Sequence, residues 1–303
     1  MTRTPTASPP PAACTVFIES AAFWAPTLPS WAAARAAFRG AGGATAAALA
    51  RPAPELLVAA ERRRAPDTVV LALEVAAQAV AASGIAPGDL LSVFTSAHGD
   101  LGITDAMCSA LAANPALVSP TKFLNSVHNA ASGYWGIATA CGAASTAVSG
   151  AEASFAAGLL EALTQCAAES RPVLLAGYDV AARGALASTN TSRGLLGVAL
   201  VLAPTPSPRT LAAMQWSLEH GPAARAALRS GAARALGANA MADALPLFEA
   251  LARESAGPLA LPLGARLALR VVLGGFVLPS AERLRPEARV ASGLCGHRRI
   301  LRE

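Results

Sequence analysis

At 303 residues, with 53% hydrophobic and 14% charged side chains, the chain can bury roughly 75% of its unfolded surface and is too apolar to be disordered. Much of the apolar share is alanine, and no run reaches the roughly 20 strongly apolar residues of a membrane span. The net charge of +5 rests largely on an Arg-rich end, where Arg283, Arg285, Arg289, Arg298, Arg299 and Arg302 face only Glu282, Glu287 and Glu303; the remainder is too weakly basic for a nucleic-acid footprint.

Residues 1–13 are a Pro/Thr/Ser-rich lead without the apolar stretch of a signal peptide. Thr15–Glu19 predicts a first strand, Pro26 and Pro29 a loop, and Trp31–Phe38 an Ala/Arg helix ended by Gly40. Glu55–Arg64 predicts one short helix. Asp67–Ser83 predicts a longer one, with Asp67 as N-cap, an apolar stripe at Val70, Leu73, Ala77 and Val80, and Gly84 as its stop. Leu90–Thr95 is an apolar strand, Thr104–Ala112 a helix, Ser119–Asn125 a loop and Asn129–Thr139 a small-residue helix. Thr146–Ser149 predicts a strand, Ala153–Ala168 a helix, and Pro172–Ala176 and Leu195–Leu202 two strands without polar alternation, as expected when both faces are covered. Met214–Trp216 is a short strand, Ala242–Ala252 an amphipathic helix and Ala265–Leu273 a final strand. This alternation predicts an α/β layer fold around a mixed or mainly parallel sheet.

The five cysteines, Cys14, Cys108, Cys141, Cys166 and Cys295, are odd in number and form no CxxC pair. That argues against a disulfide framework or a zinc site and fits a reducing cytoplasm. No Walker-type or GxGxxG pattern supports a nucleotide cofactor.

The turn Val148–Ser154 is where a strand hands over to a helix. A nucleophile there gains exposure and the positive end of the helix dipole. Ala151 cannot attack, and Glu152 is explained as an acidic residue in a first helical turn. Ser149 is the best remaining hydroxyl, with His128 or His98 as its possible base, although a lone histidine near a helix start is commonly a satisfied loop residue. Cys141 and Cys166 could supply a thiol; the competing reading is that both pack as small hydrophobes. Lys122 beside Phe123 fits either an acidic carrier or a solvated loop.

Three stretches carry a family resemblance: SVFTSAHGDLGITDAM, SPTKFLNSVHNAASGYWGIATACGAAS, and FAAGLLEAL followed by PVLLAGYDV. Over residues 14–272 they resemble the N-terminal half of β-ketoacyl synthases, and more closely the short chain-length-factor proteins of aryl polyene and xanthomonadin-type clusters. The resemblance implies a truncated thiolase-like (ketosynthase) layered fold lacking most of the C-terminal half, with 273–303 as a poorly ordered Arg-rich tail. Asn129 and Gly133 match the family's Asn-x-x-x-Gly, and Gly142 the glycine opening the nucleophile strand. Ala151, or Glu152 in a register one residue away, then occupies the nucleophile's seat. The family's two histidines of the C-terminal half have no counterpart after Leu202, and Cys295–Arg299 lacks their glycine-rich setting.

Without nucleophile and histidines, the resemblance implies a non-catalytic partner of a complete ketosynthase, meeting acyl carrier protein through that complex and needing no cofactor or metal. Ser145–Ser149 would pair across a pseudo-twofold axis. Phe123, Asn125, His128, Asn129, Ser145, Thr146, Ser149 and Phe155 are the partner or tunnel candidates. Two alternatives remain at this level: an acyl-thioester transferase or condensing enzyme using Ser149 or Cys166 with His128, and a scaffold that docks acyl carrier protein.

Overall fold

The structure is a computed structural model that describes residues 14–42, 47–188, 190 and 192–275. The lead 1–13 and, beyond Gly275, the Arg-rich segment with Cys295 and His297 lie outside the described residues.

In chain order, β1 (Cys14–Trp24) leads to α1 (Trp31–Phe38), α2 (Ala59–Arg64) and α3 (Asp67–Ser83). Then follow β2 (Leu91–Thr95), α4 (Leu101–Ala113), α5 (Pro120–Leu124), α6 (Ala130–Thr139), β3 (Ser145–Val148) and α7 (Ser154–Glu169). The second half contributes β4 (Val173–Asp179), β5 (Leu196–Ala203), β6 (Ala212–His220), α8 (Gly231–Ala235), α9 (Leu245–Ala252), β7 (Gly257–Gly264) and β8 (Leu267–Gly274). The eight strands form one sheet in the order β3-β2-β4-β5-β1-β6-β8-β7. It is mixed, the first of the two alternatives expected, and parallel only where β2 meets β3 and β4; every other pairing is antiparallel.

Each face of the sheet is covered by helix. On one side α7 and α9 join Phe23, Phe38, Phe155 and Phe248 in a core built around edge-on aromatic contacts. On the other, α3 and α6 cover Phe94, Leu174 and Ala199. Strands β2, β4 and β5 are buried along their whole length, which is why they read as unbroken apolar runs. Helix α7 lies close on β2 because Gly158 has no side chain: a Cβ there would sit 2.7 Å from Thr95 Cβ.

Several boundaries differ from the sequence reading, each for a local reason. Asp67 is the first residue of α3 rather than its cap; Pro66 holds the cap position and Asp67 instead pairs with Arg51 at 2.8 Å. Ser119–Asn125 is not a loop: Ser119 accepts the amide of Lys122, Pro120 occupies the first turn, and a short helix follows. Glu55–Leu57 forms a turn, so only Ala59–Arg64 is helical. Pro246 sits at the start of α9, which therefore begins at Leu245 after a 3-10 turn over Ala240–Ala244. The expected last strand is a hairpin, β7 with β8; Pro258 and Pro262 hid β7 in the sequence and are tolerated because it is an edge strand.

Candidate functional site

The junction from β3 to α7 is the candidate site. Strand β3 is the outermost of the sheet, and its hand-over to α7 is a tight turn held by its own atoms. Gly150 N–H donates to Ser154 Oγ (3.0 Å), Ser154 Oγ donates to the carbonyl of Ala151 (2.7 Å), and Ala153 N–H returns to the Gly150 carbonyl (2.9 Å). Only glycine fits at 150, where a Cβ would meet Ala153 O at 2.9 Å. Ala151 is exposed and left-handed, with φ 50°. A β-carbon in that region is strained, and such strain concentrates at positions where a fold must present a side chain sharply.

The first turn of α7 is occupied from the second half of the chain. Asp243, 96% buried by its 4% exposure, accepts the amide of Ala156 at 3.1 Å. Burial pushes its carboxyl up to about 7, against the pull of the Ala156 and Phe155 amides and of Arg225. Its Oδ1 has no hydrogen-bond partner among the described residues. Arg225 closes the same corner by donating to the carbonyl of Glu152 at 2.9 Å. Sequence reasoning missed both residues; neither sits in a motif, and only the fold brings 225–243 to the start of α7.

A second buried acid organises the floor. Asp179, at the end of β4, accepts from Ser96 Oγ (2.8 Å) and from the amide of Ala97 (3.0 Å). Burial raises its carboxyl to about 7, opposed by the Ala97 amide and the Ser96 hydroxyl and reinforced by Asp243. The segment Ser96–His98 that it grips also takes the two residues considered as a dyad. His128 Nε2 lies 2.9 Å from the carbonyl of Ser96, and Ser149 Oγ donates to the carbonyl of Ala97 at 2.9 Å. Each is committed to its own backbone carbonyl, so no Ser149–His128 hydrogen bond is formed. His98 is held below the usual imidazole range, by burial first and then by His128.

The two cysteines offer no substitute. Cys166 lies about 18 Å along α7 from its start, at about 1.5 Å per residue; it is fully buried, and burial pushes its thiol up to about 11. Cys141 is half-buried with Sγ 3.2 Å from the carbonyl of Pro87. Among the described residues no group of three His, Cys, Asp or Glu side chains is placed to hold a metal.

The remaining candidates divide by burial. Phe123 is 60% exposed and Asn129 exposed, the latter at the cap of α6 without a side-chain cap bond. Asn125 is buried and donates to Thr121 O at 2.9 Å. Ser145 receives the hydroxyl of Ser92 (2.9 Å) and Thr146 the amide of Gln165 (2.9 Å). Phe155 is fully buried and packs edge-on against Phe248 with centroids 6.0 Å apart, so it belongs to the interior core and not to a surface.

Part of the surface is left uncovered by the chain itself. The helices α4 and α5 bury none of their residues, and Leu111, Leu117, Leu124, Val127 and Ile137 stand exposed, Ile137 by 86%. No helix among the described residues is long and apolar enough to cross a membrane.

Residues 31–258 match the family model of the β-ketoacyl synthase N-terminal domain. A search of curated proteins gave no match. Among solved structures, the chain is similar to one in the complex of a ketosynthase with its chain length factor from Xenorhabdus doucetiae, with 22% identity, TM-score 0.64, and 85% of this chain and 99% of that one covered. It is also similar to the ishigamide ketosynthase/chain length factor, with 17% identity, TM-score 0.62 and 87% and 100% covered. A type II polyketide synthase acyl-carrier protein in complex with its ketosynthase gives 9% identity, TM-score 0.65 and the same 87% and 100%. These likenesses establish the layered, thiolase-like fold of ketosynthases. The family match is to the N-terminal domain.

Proposed function

The chain belongs to the family of the β-ketoacyl synthase N-terminal domain, and on that premise we propose that it is a non-catalytic, chain-length-factor-type subunit that pairs with an active ketosynthase. The observations that carry this reading are the open edge of β3, which packs against α6, and the apolar side chains left exposed between Leu111 and Ile137. An unpaired strand edge beside exposed leucine, valine and isoleucine is an interaction site. The opposite edge of the sheet is β7, where Pro258 and Pro262 remove outward donors. Sheet extension is therefore favoured at the β3 edge.

The chemistry of the turn supports a partner over an enzyme. With Ala151, or Glu152, in the nucleophile's seat there is no thiol at the start of α7, and Ser149, His128 and Cys166 are each engaged or inert. The left-handed backbone at Ala151 fits a position that once presented a nucleophile. In the assembled pair, residues 14–272 act as one ketosynthase-like unit. The growing acyl chain of the partner ends against this subunit, with Phe123, Asn125, His128 and Asn129 facing it and Ser145, Thr146 and Ser149 in the paired edge. Acyl carrier protein is met through the complex. We place this assembly in the cytoplasm, in keeping with four free described cysteines.

Coexpression with a complete ketosynthase, followed by size-exclusion chromatography and acyl-loading mass spectrometry, tests the reading. A one-to-one complex with acyl groups only on the ketosynthase is expected. A covalent acyl adduct on this chain alone overturns it.

A further inference from the structure

A cleft of about 530 Å³ lies between the segment Ala226–Arg229, one face of α9 and the first residues of β7. Pro246, Glu249, Ala250 and Arg253 recur at three- and four-residue steps, so they share that face of α9 and its C-cap. The rest of the helix, with Leu245, Phe248 and Leu251, packs into the core. None of the residues of the β3–α7 turn lines the cleft, and β7 is the opposite edge strand of the sheet.

Both walls are fixed by hydrogen bonds of the chain's own backbone. The buried Glu249 carboxylate accepts the amides of Arg229 (2.7 Å) and Ser230 (2.5 Å), and Arg234 donates to the carbonyls of Leu228 (3.1 Å) and Arg229 (2.7 Å). Across the cleft, the amides of Arg253 and Ser255 return to the carbonyls of Glu249 and Ala250, each at 3.0 Å. Two guanidiniums are left over. The exposed Arg229 side chain makes no ion pair among the described residues. Arg253 Nε is 3.9 Å from Glu249 Oε1, too far for a hydrogen bond, and is buried without an acceptor. A buried donor in that state is costly and calls for a partner.

We infer that this cleft binds a small monocarboxylate with an apolar body. Guanidinium forks take a carboxylate through paired, charge-assisted hydrogen bonds. Leu228, Pro246 and Leu259 supply apolar wall for the body, in a volume typical of small-ligand sites. Glu249 answers one of the two cations, so one positive charge remains for one negative charge. A phosphate dianion would bring a second negative charge toward the buried Glu249 carboxylate, and like charges repel. Such a site is independent of pairing with a ketosynthase, since it uses neither the β3 edge nor the exposed face between Leu111 and Ile137.

Ligand-observed NMR titration of the purified chain with cyclohexanecarboxylate, and in parallel with the neutral cyclohexanecarboxamide and with inorganic phosphate, tests the site. The carboxylate binds, more weakly as salt is raised, and the amide and phosphate bind at least roughly threefold more weakly. Arg229→Gln removes a side chain that holds no part of the fold, and weakens carboxylate binding roughly three- to tenfold at unchanged Tm. Arg253→Gln does the same or more. Arg266→Gln, at an exposed position outside the cleft, leaves binding as it was. No carboxylate binding up to about 10 mM, equal binding of acid and amide, tighter binding of phosphate, or the same affinity in Arg229→Gln and Arg253→Gln as in the unaltered chain overturns the inference.

Discussion

Ala151 holds a backbone conformation that suits glycine, at φ 50° on an exposed turn. Left-handed backbone costs a residue with a β-carbon about 1 kcal/mol or more relative to glycine. Ala151→Gly is therefore expected to stabilise the chain by about 1 kcal/mol, a rise in Tm of about 2–3 °C for a domain of this size, readable by thermal unfolding; an unchanged or lower Tm contradicts the strain. The two buried acids give a second residue-scale prediction. Asp179 and Asp243 are both raised by burial to about 7. A carboxyl raised on folding contributes stability that is fully present below its unfolded value near 4 and is lost as pH climbs through about 7. The native state should thus be weakened by a few kcal/mol between about pH 4 and pH 7. Asp179→Asn keeps both hydrogen bonds, accepting from Ala97 and donating to Ser96, and should flatten part of that decline. An identical pH slope in the variant denies Asp179 the role. That the turn Val148–Ser154 carries no cysteine is plain in the sequence. Asp243 and Arg225 are not legible there, because their importance comes from tertiary approach to α7, for which local sequence carries no signal.

The helices most legible in the sequence are those whose ends carry their own chemistry. Trp31–Phe38 has Ser30 as a working cap, and Gly84 closes α3 at φ 72°. Elements that escaped include two that carry proline: Pro120 opens α5, and Pro258 and Pro262 lie in β7 at the sheet edge; at α9 the helix is legible and only its start moves, to Leu245 just ahead of Pro246. Proline has positional meaning that only the sheet order reveals. The same rule gives a test at β3. Ser92 N–H bonds to Ala144 O and Ser96 N–H to Val148 O, so even-numbered backbone groups of β3 face β2 and those of Ala147 face the open edge. Ala147→Pro removes an outward donor while sparing the β2 ladder. The variant is expected to fold as a monomer, by circular dichroism, and to lose its ketosynthase partner in a pull-down. Retained pairing would mean that the partner does not add to this strand.

At the scale of the whole molecule, the chain divides into a closed body and a face left uncovered. Strands β1, β2, β4 and β5 with α3, α7 and α9 bury two continuous cores, whereas residues 101–128 bury little beyond Asn125 and expose Leu111, Leu117, Phe123, Leu124 and Val127. A helical excursion without a core of its own opens locally at small free energy, and a partner that covers it removes that opening. The stability of this lobe should therefore belong to the complex. Limited proteolysis of the isolated chain is expected to cut first within 101–128, with the body surviving as fragments that stay associated. Addition of the ketosynthase should slow that cleavage at least about tenfold, the factor that corresponds to about 1.4 kcal/mol of protection. Hydrogen exchange of the same segment should fall in step, while exchange in β4 and β5 stays unchanged. Cleavage that begins in the body, or a lobe equally protected with and without partner, would show that this apolar face is stable by itself and that the open edge of β3 has another purpose.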